Sequence, residues 1–213
     1  MKDVVVESLA IPEIKVFKFS GFEDDRGYFS ETFKTRQIAE IEGLELLAQR
    51  PILQVNQSYS KPNVMRGLHF QWNPYMGKLV RTVHGHMVDM VVDVRIGSPT
   101  FGKGIMYDMP ADISNSEMEW IWVPPGFAHG NYFTKPTAIE YFCTGDYSEG
   151  NESGISPLSS DIDWIGNELP NPLELATHGK WEMTDKDRNA PNLAEWIGAS
   201  DSRRFIYGKC EKG

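Results

Sequence analysis

From Val5 to about Thr144 the chain is a succession of short apolar or alternating segments, each closed by Gly, Pro, Asn or Asp. In order they read IKVFKF, GYFSETF, ILQVNQSYS, KLVRTVHG, HMVDMVVDVR, IMYDM, EWIWVPPG, NYFT and TAIEYFCTG. Alternation with a period of two suits strands that bury one face, and many such strands at near-regular spacing predict an all-β sandwich or barrel. In HMVDMVVDVR, the residues Met87, Asp89, Val91 and Asp93 alternate with Val88, Met90, Val92 and Val94, which predicts a strand with one acidic and one apolar face. Gly85, between His84 and His86, reads as a hairpin turn ahead of it. FKTRQIAEIEGLELL has apolar residues near helical spacing and predicts one early helix. From Tyr147 to about Leu193 the chain is rich in Ser, Asn, Pro and Asp, and is expected to wrap the sandwich as loops and short helices. PNLAEWI predicts a short helix with Pro191 at its start.

With 213 residues, 40% of them hydrophobic and 12% aromatic, the chain supports one sizeable core rather than two. No apolar run approaches the ~20 residues needed to cross a bilayer, and MKDVVVESLAIPEIKVF has no secretory-signal pattern, so a cytoplasmic location with no membrane partner is expected. Cys143 and Cys210 form neither a metal cluster nor a disulfide framework, which fits a reducing compartment. A net charge of -9 argues against nucleic acid as a partner, because phosphate backbones need a basic face. An anionic substrate must then be held by a few placed Arg and Lys side chains.

Three stretches concentrate reactive side chains. MRGLHFQ carries Arg66 and His69, with Lys78 following in GKLVR; PPGFAHG presents His129 in a Gly/Pro turn; AIEYFCTGDY offers Tyr141 and Tyr147. Each has a plain alternative. A single strand histidine is commonly a hydrogen-bonded structural residue, and a half-buried tyrosine commonly keeps its hydroxyl wet. His84 and His86 have metal-ligand spacing, but with no acidic partner at a matching distance a surface turn is favoured. Arg66 and His69, three residues apart, converge only if a bulge or twist interrupts the strand.

Taken together, DDRGYFSETF, QVNQSYSKPNVMRGLHFQ, GKLVRTVHGHMVDMVVDVRIGSPTFGK, WIWVPPGFAHGN, YFCTGDYSEGNESGI and MTDKDRNAPNL resemble, in order, the successive motifs of the dTDP-4-dehydrorhamnose 3,5-epimerases. The resemblance spans about Ile14 to Leu193. It implies a cupin-type double-stranded β-helix, or jelly roll, with short peripheral helices, usually a homodimer, working without metal or organic cofactor. Its substrate would be a nucleotide-diphosphate 4-keto-6-deoxy sugar, most simply dTDP-4-dehydro-6-deoxyglucose, inverted at C3, C5 or both. One domain over 1–193 with a 194–213 extension follows, since the tail has no counterpart in the motifs.

Removing a proton α to a ketone leaves an enolate, so such a site needs a base on one face, a cation at the oxygen and an acid on the opposite face. By resemblance His69 is the base, oriented by Asp187; Lys78 meets the enolate; Tyr141 is the acid. Substrate-binding positions carried over are Arg26, Glu31, Gln54, Asn56, Arg66, His129, Tyr147 and Lys186, with Arg26 reaching a diphosphate, commonly across the dimer interface. Metal-binding cupins carry His-x-His followed by Glu; here His69 is followed by Phe70 and Gln71, which leaves too few ligands. A ketoisomerase or a non-catalytic sugar-binding cupin remains as an alternative, but the second would be expected to lose His69 or Asp187. Departures from the family pattern gather in 165–184, which is longer than expected, and in the tail.

Overall fold

A computed structural model describes residues 1–166, 169–178 and 181–210. In chain order the elements begin with β1 (Lys2–Ser8), β2 (Lys15–Ser20), β3 (Phe22–Asp24), β4 (Gly27–Phe29), α1 (Thr35–Ile38) and α2 (Glu45–Ala48). Then come β5 (Gln54–Ser60), β6 (Met65–Gln71), β7 (Lys78–Asp93), β8 (Lys103–Ala111), β9 (Glu117–Val123), β10 (Phe127–Phe133) and β11 (Thr137–Cys143). β12 (Glu152–Gly154), β13 (Asp163–Trp164), α3 (Pro172–His178), α4 (Asp185–Arg188) and α5 (Leu193–Gly198) complete the order before a 3-10 turn at Ser200–Arg204.

The long strand β7 organises the rest. Its first half, Lys78 to His84, pairs with β9 and β11; its second half, Gly85 to Asp93, pairs with β8 and β10. One sheet therefore runs β1-β2-β9-β7-β11-β5 and the facing one β13-β8-β7-β10-β6-β12, a mostly antiparallel jelly roll sharing one strand. Gly85 is thus no hairpin turn. It bends a continuous strand from one sheet into the other at a φ of 104°, and a Cβ there would come 2.4 Å from the Pro136 carbonyl oxygen. His84 and His86 flank this bend, and His86 is held by Asp108 and Thr134.

Three apolar layers result. Val16, Val80, Val91, Ile121 and Ile139 meet between the sheets. Phe17, Leu79, Trp120 and Trp122 on the outer face of the first sheet are covered by Ile38, Leu44 and Leu47. Outside the second sheet, Phe70, Trp72, Met90 and Val92 lie under Ile155, Leu193, Trp196 and Phe205. Because both faces of β7 are covered in its second half, the expected acidic face is not solvated. Asp89 and Asp93 are fully buried, and buried charge must be partnered. His129 and Asn131 take Asp89; Arg95, Ser98 and Thr100 take Asp93.

The single early helix is two one-turn pieces, α1 and α2, broken at 39–44 around Gly43, each burying one or more apolar side chains against the sheet. α5 matches its expected place, with Asn192 rather than Pro191 as its cap. The Asn192 side chain accepts the Glu195 N–H while Glu195 accepts the Asn192 N–H, a capping box of about 1 kcal/mol. The wrapping segment is as expected: β12, β13 and α3 to α5 lie along the second sheet. Within 165–184, residues 167, 168, 179 and 180 fall outside the described residues, as do 211–213 of the tail.

Candidate active site

Between the sheets, at the end where β5, β6 and β7 begin or finish, lies a cavity of about 300 Å³ lined by Gln54, Asn56, His69, Lys78, Tyr141 and Glu152 among others. Strand pairing explains the gathering. Tyr141 sits opposite Asn56 on one side and Val80 on the other, and Cys143 sits opposite Gln54 and Lys78. Residues two apart share a face, so these side chains project together from the first sheet. His69 and Gln71 project toward them from the second, where Glu152 pairs with Gln71.

A bulge aims His69. On β10 the register steps two residues, His129 to Asn131, while on β6 it steps three, His69 to Arg66. The extra residue removes the alternation that would set Arg66 and His69 on opposite faces. Only glycine fits at its centre: Gly67 has a φ of 101°, and a Cβ would approach Gly130 Cα to 2.6 Å. Arg66 donates from Nε to Ser60 Oγ at 3.0 Å and lies close enough to Tyr141 to act on its phenol electrostatically.

His69 Nε2 is 2.7 Å from Asp187 Oδ1, and the Gly67 N–H donates to Asp187 Oδ2 at 3.2 Å. Asp187 arrives on α4, whose Thr184 cap accepts the Asp187 N–H. Burial alone would raise the Asp187 carboxyl, but the His69 ring outweighs it with help from Gly67, and the carboxyl is held below its ordinary value. Asp187 therefore stays ionised and takes the Nε2 proton, which leaves the lone pair on Nδ1. Among the described residues none hydrogen-bonds Nδ1.

Lys78 stands on the opposite wall. Burial pulls its ammonium below the usual lysine value, against the opposing influence of Cys143, Asp89 and Glu152. Tyr141 is half-buried; burial, with Cys143 adding to it, pushes its phenol up, so it holds its proton. At the rim Glu152 Oε1 accepts from Lys186 Nζ at 2.8 Å and from the Tyr147 hydroxyl at 3.1 Å. The Tyr147 N–H donates to Gln54 Oε1, and Gln54 Nε2 donates to Asn56 Oδ1.

Of the residues expected from sequence, His69, Asp187, Lys78, Tyr141, Gln54, Asn56, Tyr147 and Lys186 come to this cavity or its rim. Arg66 comes to its edge. Three do not. His129 lies not in a turn but inside β10, buried beneath the cavity with Nε2 at 2.8 Å from Asp89 Oδ2. Arg26, 89% exposed, tips the β3–β4 hairpin and among the described residues is paired only with Asp24. Glu31 takes the Met1 amino group and Lys34. Sequence reasoning missed Glu152 and Cys143. Cys143 was recoverable, since it shares the strand parity of Tyr141; Glu152 was not, because in SEGNESG it reads as a solvated loop acid. A larger groove of about 760 Å³, between β1 and β2 and the ends of β8 and β9, holds none of the expected residues.

Among the described residues, no three His, Cys, Asp or Glu side chains are grouped to hold a metal ion, and no helix is long and apolar enough to cross a membrane. The family model for dTDP-4-dehydrorhamnose 3,5-epimerase matches residues 8–195. The chain is 36% identical over 198 residues to the dTDP-4-dehydrorhamnose 3,5-epimerase of Sinorhizobium fredii, covering 92% of each. Its fold is similar, at a TM-score of 0.76 and 29% identity, to the dTDP-6-deoxy-D-glucose-3,5-epimerase of Legionella pneumophila in complex with dTDP-4-keto-L-rhamnose, over 95% of this chain and 97% of that one. A 4-keto-6-deoxy sugar epimerase from the novobiocin gene cluster of Streptomyces spheroides is similar at 0.78 and 26%, over 98% and 96%. With its motifs, jelly roll and cavity in agreement, this chain belongs to the dTDP-4-dehydrorhamnose 3,5-epimerase family.

Proposed function

We propose that this enzyme epimerises a nucleotide-diphosphate 4-keto-6-deoxyhexose, dTDP-4-dehydro-6-deoxyglucose being the simplest substrate, without metal or organic cofactor. The observation that carries the reading is the convergence of His69–Asp187, Lys78 and Tyr141 on one cavity from two facing sheets. His69 Nδ1 takes the proton from carbon next to the ketone. Charge then gathers on the ketone oxygen, and the Lys78 ammonium meets it in surroundings poor in water, where such an interaction is strong. Tyr141, on the other sheet from His69, returns a proton to the opposite face of the carbon, and the stereocentre is inverted.

A cavity of about 300 Å³ is at the small end for ligand sites and suits the sugar alone. The nucleotide diphosphate then lies at the rim, with Arg66 on phosphate or sugar oxygens and Tyr147, Gln54, Asn56 and Lys186 around it. Arg26 and Glu31 enter from a second copy of the chain in a homodimer; the exposed Arg26 hairpin, remote from its own cavity, supports that arrangement. His129 acts through Asp89 and not by touching the sugar. The two free, buried thiols fit a reducing, cytoplasmic setting.

Incubation with dTDP-4-keto-6-deoxyglucose in deuterium oxide should place deuterium at C5, C3 or both, and the positions labelled count the carbons inverted. No incorporation with any nucleotide form would sink the reading. Tyr141→Phe should retain exchange at the abstracted carbon while net inversion falls by about 10²-fold. Joint loss of exchange and inversion would mean the two roles are not divided between His69 and Tyr141.

A further inference from the structure

The residues after 195 lie beyond the family model, yet they press directly on the back of the catalytic strand. Along β6, His69 and Gln71 line the cavity while the Phe70 and Trp72 side chains join the apolar cluster outside the sheet. There Phe70 meets the Trp196 ring edge-on at 4.8 Å and the Phe205 ring at 5.0 Å. Trp72 meets Phe205 at 6.0 Å, and the Arg204 guanidinium lies over Trp72.

The same tail holds the only chain link between base and cation. β6 carries His69 and β7 begins at Lys78, so the 72–77 connection sets how far apart the two can sit. Tyr75, in that connection, donates its hydroxyl to the Arg204 carbonyl at 2.6 Å and stands edge-on to Phe205 at 5.7 Å. From the cavity side Gln71 Nε2 donates to the Pro74 carbonyl, and Met76 lines the cavity. Phe205 is fully buried and Trp196 nearly so.

We infer that the C-terminal segment 196–205 is a positioning element of the active site, clamping β6 and the 72–77 connection so that His69 and Lys78 keep their working separation. Phe205 and Tyr75 are the positioning residues; neither touches the sugar. The inference rests on the epimerase reading for its kinetic consequence alone. Geometry of this kind is costly to lose, because displacement by about 1 Å can cost on the order of 10²-fold in rate.

Tyr75→Phe removes one hydrogen bond and Phe205→Leu keeps an apolar side chain while losing the ring edges; Tyr207→Ala, which strips a ring from Arg95 on the far side of the tail, is the comparison variant. Measured well below each Tm, the first two should lose about tenfold in kcat for solvent exchange while inhibition by dTDP is unchanged. Tyr207→Ala should lower Tm and leave kcat alone. The ring 15N resonances of His69 should move in Tyr75→Phe and Phe205→Leu and stay in Tyr207→Ala. Wild-type kcat and unmoved resonances in folded Tyr75→Phe and Phe205→Leu, or a kcat loss that merely tracks Tm across all three, would overturn the inference. If the wild type shows no exchange at all the epimerase reading fails, and the His69 resonances still decide whether the tail positions β6.

Discussion

Two histidine–aspartate pairs stand back to back in this fold. His69 on β6 and His129 on β10 are register partners, and each places Nε2 against a carboxylate oxygen, at 2.7 Å from Asp187 and 2.8 Å from Asp89. Their surroundings differ. The His69 side chain is 37% exposed and leaves Nδ1 open to a cavity wall; the His129 side chain is 7% exposed and its Asp89 fully buried, with Asn131 donating to the same oxygen. The same two side chains thus leave one ring nitrogen open to a cavity in the first pair, which the proposed mechanism uses as the base, and make a fully buried contact in the second. Asp89 lies on the strand that starts at Lys78 and favours its ammonium. In the proposed mechanism one pair moves the proton and the other supports the cation that answers it.

Deleting each ring separates the roles and should give the largest effects. His69→Ala should cut kcat by about 10² to 10⁴-fold, since general-base catalysis is lost, and should lower stability less than His129→Ala because the ring sits in a half-exposed position. His129→Ala strands a buried carboxylate and should cost about 3–5 kcal/mol of stability, read as a lower urea midpoint. The comparison breaks if His129→Ala keeps its midpoint and loses exchange as completely as His69→Ala.

That contrast was only half visible in the sequence. The succession of strands, the wrapping segment and α5 were legible because strand alternation and turn residues are local. The Gly85 bend was not: a glycine between two apolar runs reads the same whether the chain turns back or passes into a second sheet, and only long-range pairing decides. Asp89 and Asp93 were misread for the same reason: they share the face of Met87 and Val91, which is buried against the facing sheet, and that cover depends on long-range strand pairing. The family motifs placed His69, Lys78, Tyr141 and Asp187 in one site, and the cavity brings them together. His129 read as a turn residue because PPG precedes it, although the strand starts at Phe127.

Above neutrality Lys78 and Tyr141, which share the wall facing His69, should separate from each other, with a smaller effect. The proposed mechanism needs Lys78 charged, and burial has moved its pKa below 10.5, so the rate should fall as pH rises through that lowered value. Tyr141 loses its proton later, because burial moves it above 10. Between the lowered Lys78 value and 10.5 the unfolded chain binds more protons at this site than the folded one, so stability rises with pH while activity falls. Lys78→Arg should carry the alkaline limb upward, since guanidinium stays charged. Asp89→Asn should carry it downward by removing a charge that favours the ammonium. An alkaline limb that ignores both changes and moves with Tyr141→Phe would assign it to the acid.

The smallest expected effect lies at the acid end and belongs to the open pair. Asp187 is depressed below its ordinary value, chiefly by His69 working against burial. A carboxyl of this kind contributes stability that is present above its unfolded pKa of about 3.9 and is lost as pH falls through the folded value. Removing the ring removes the cause, so in His69→Ala the Asp187 carboxyl should titrate closer to its unfolded value. Urea midpoints compared at pH 5 and pH 3 should therefore fall less in His69→Ala than in wild type, and less again in Asp187→Asn, which has no carboxyl to protonate. Equal falls in all three would mean that the His69–Asp187 contact orients the imidazole without stabilising the fold, and that its retention serves the base alone.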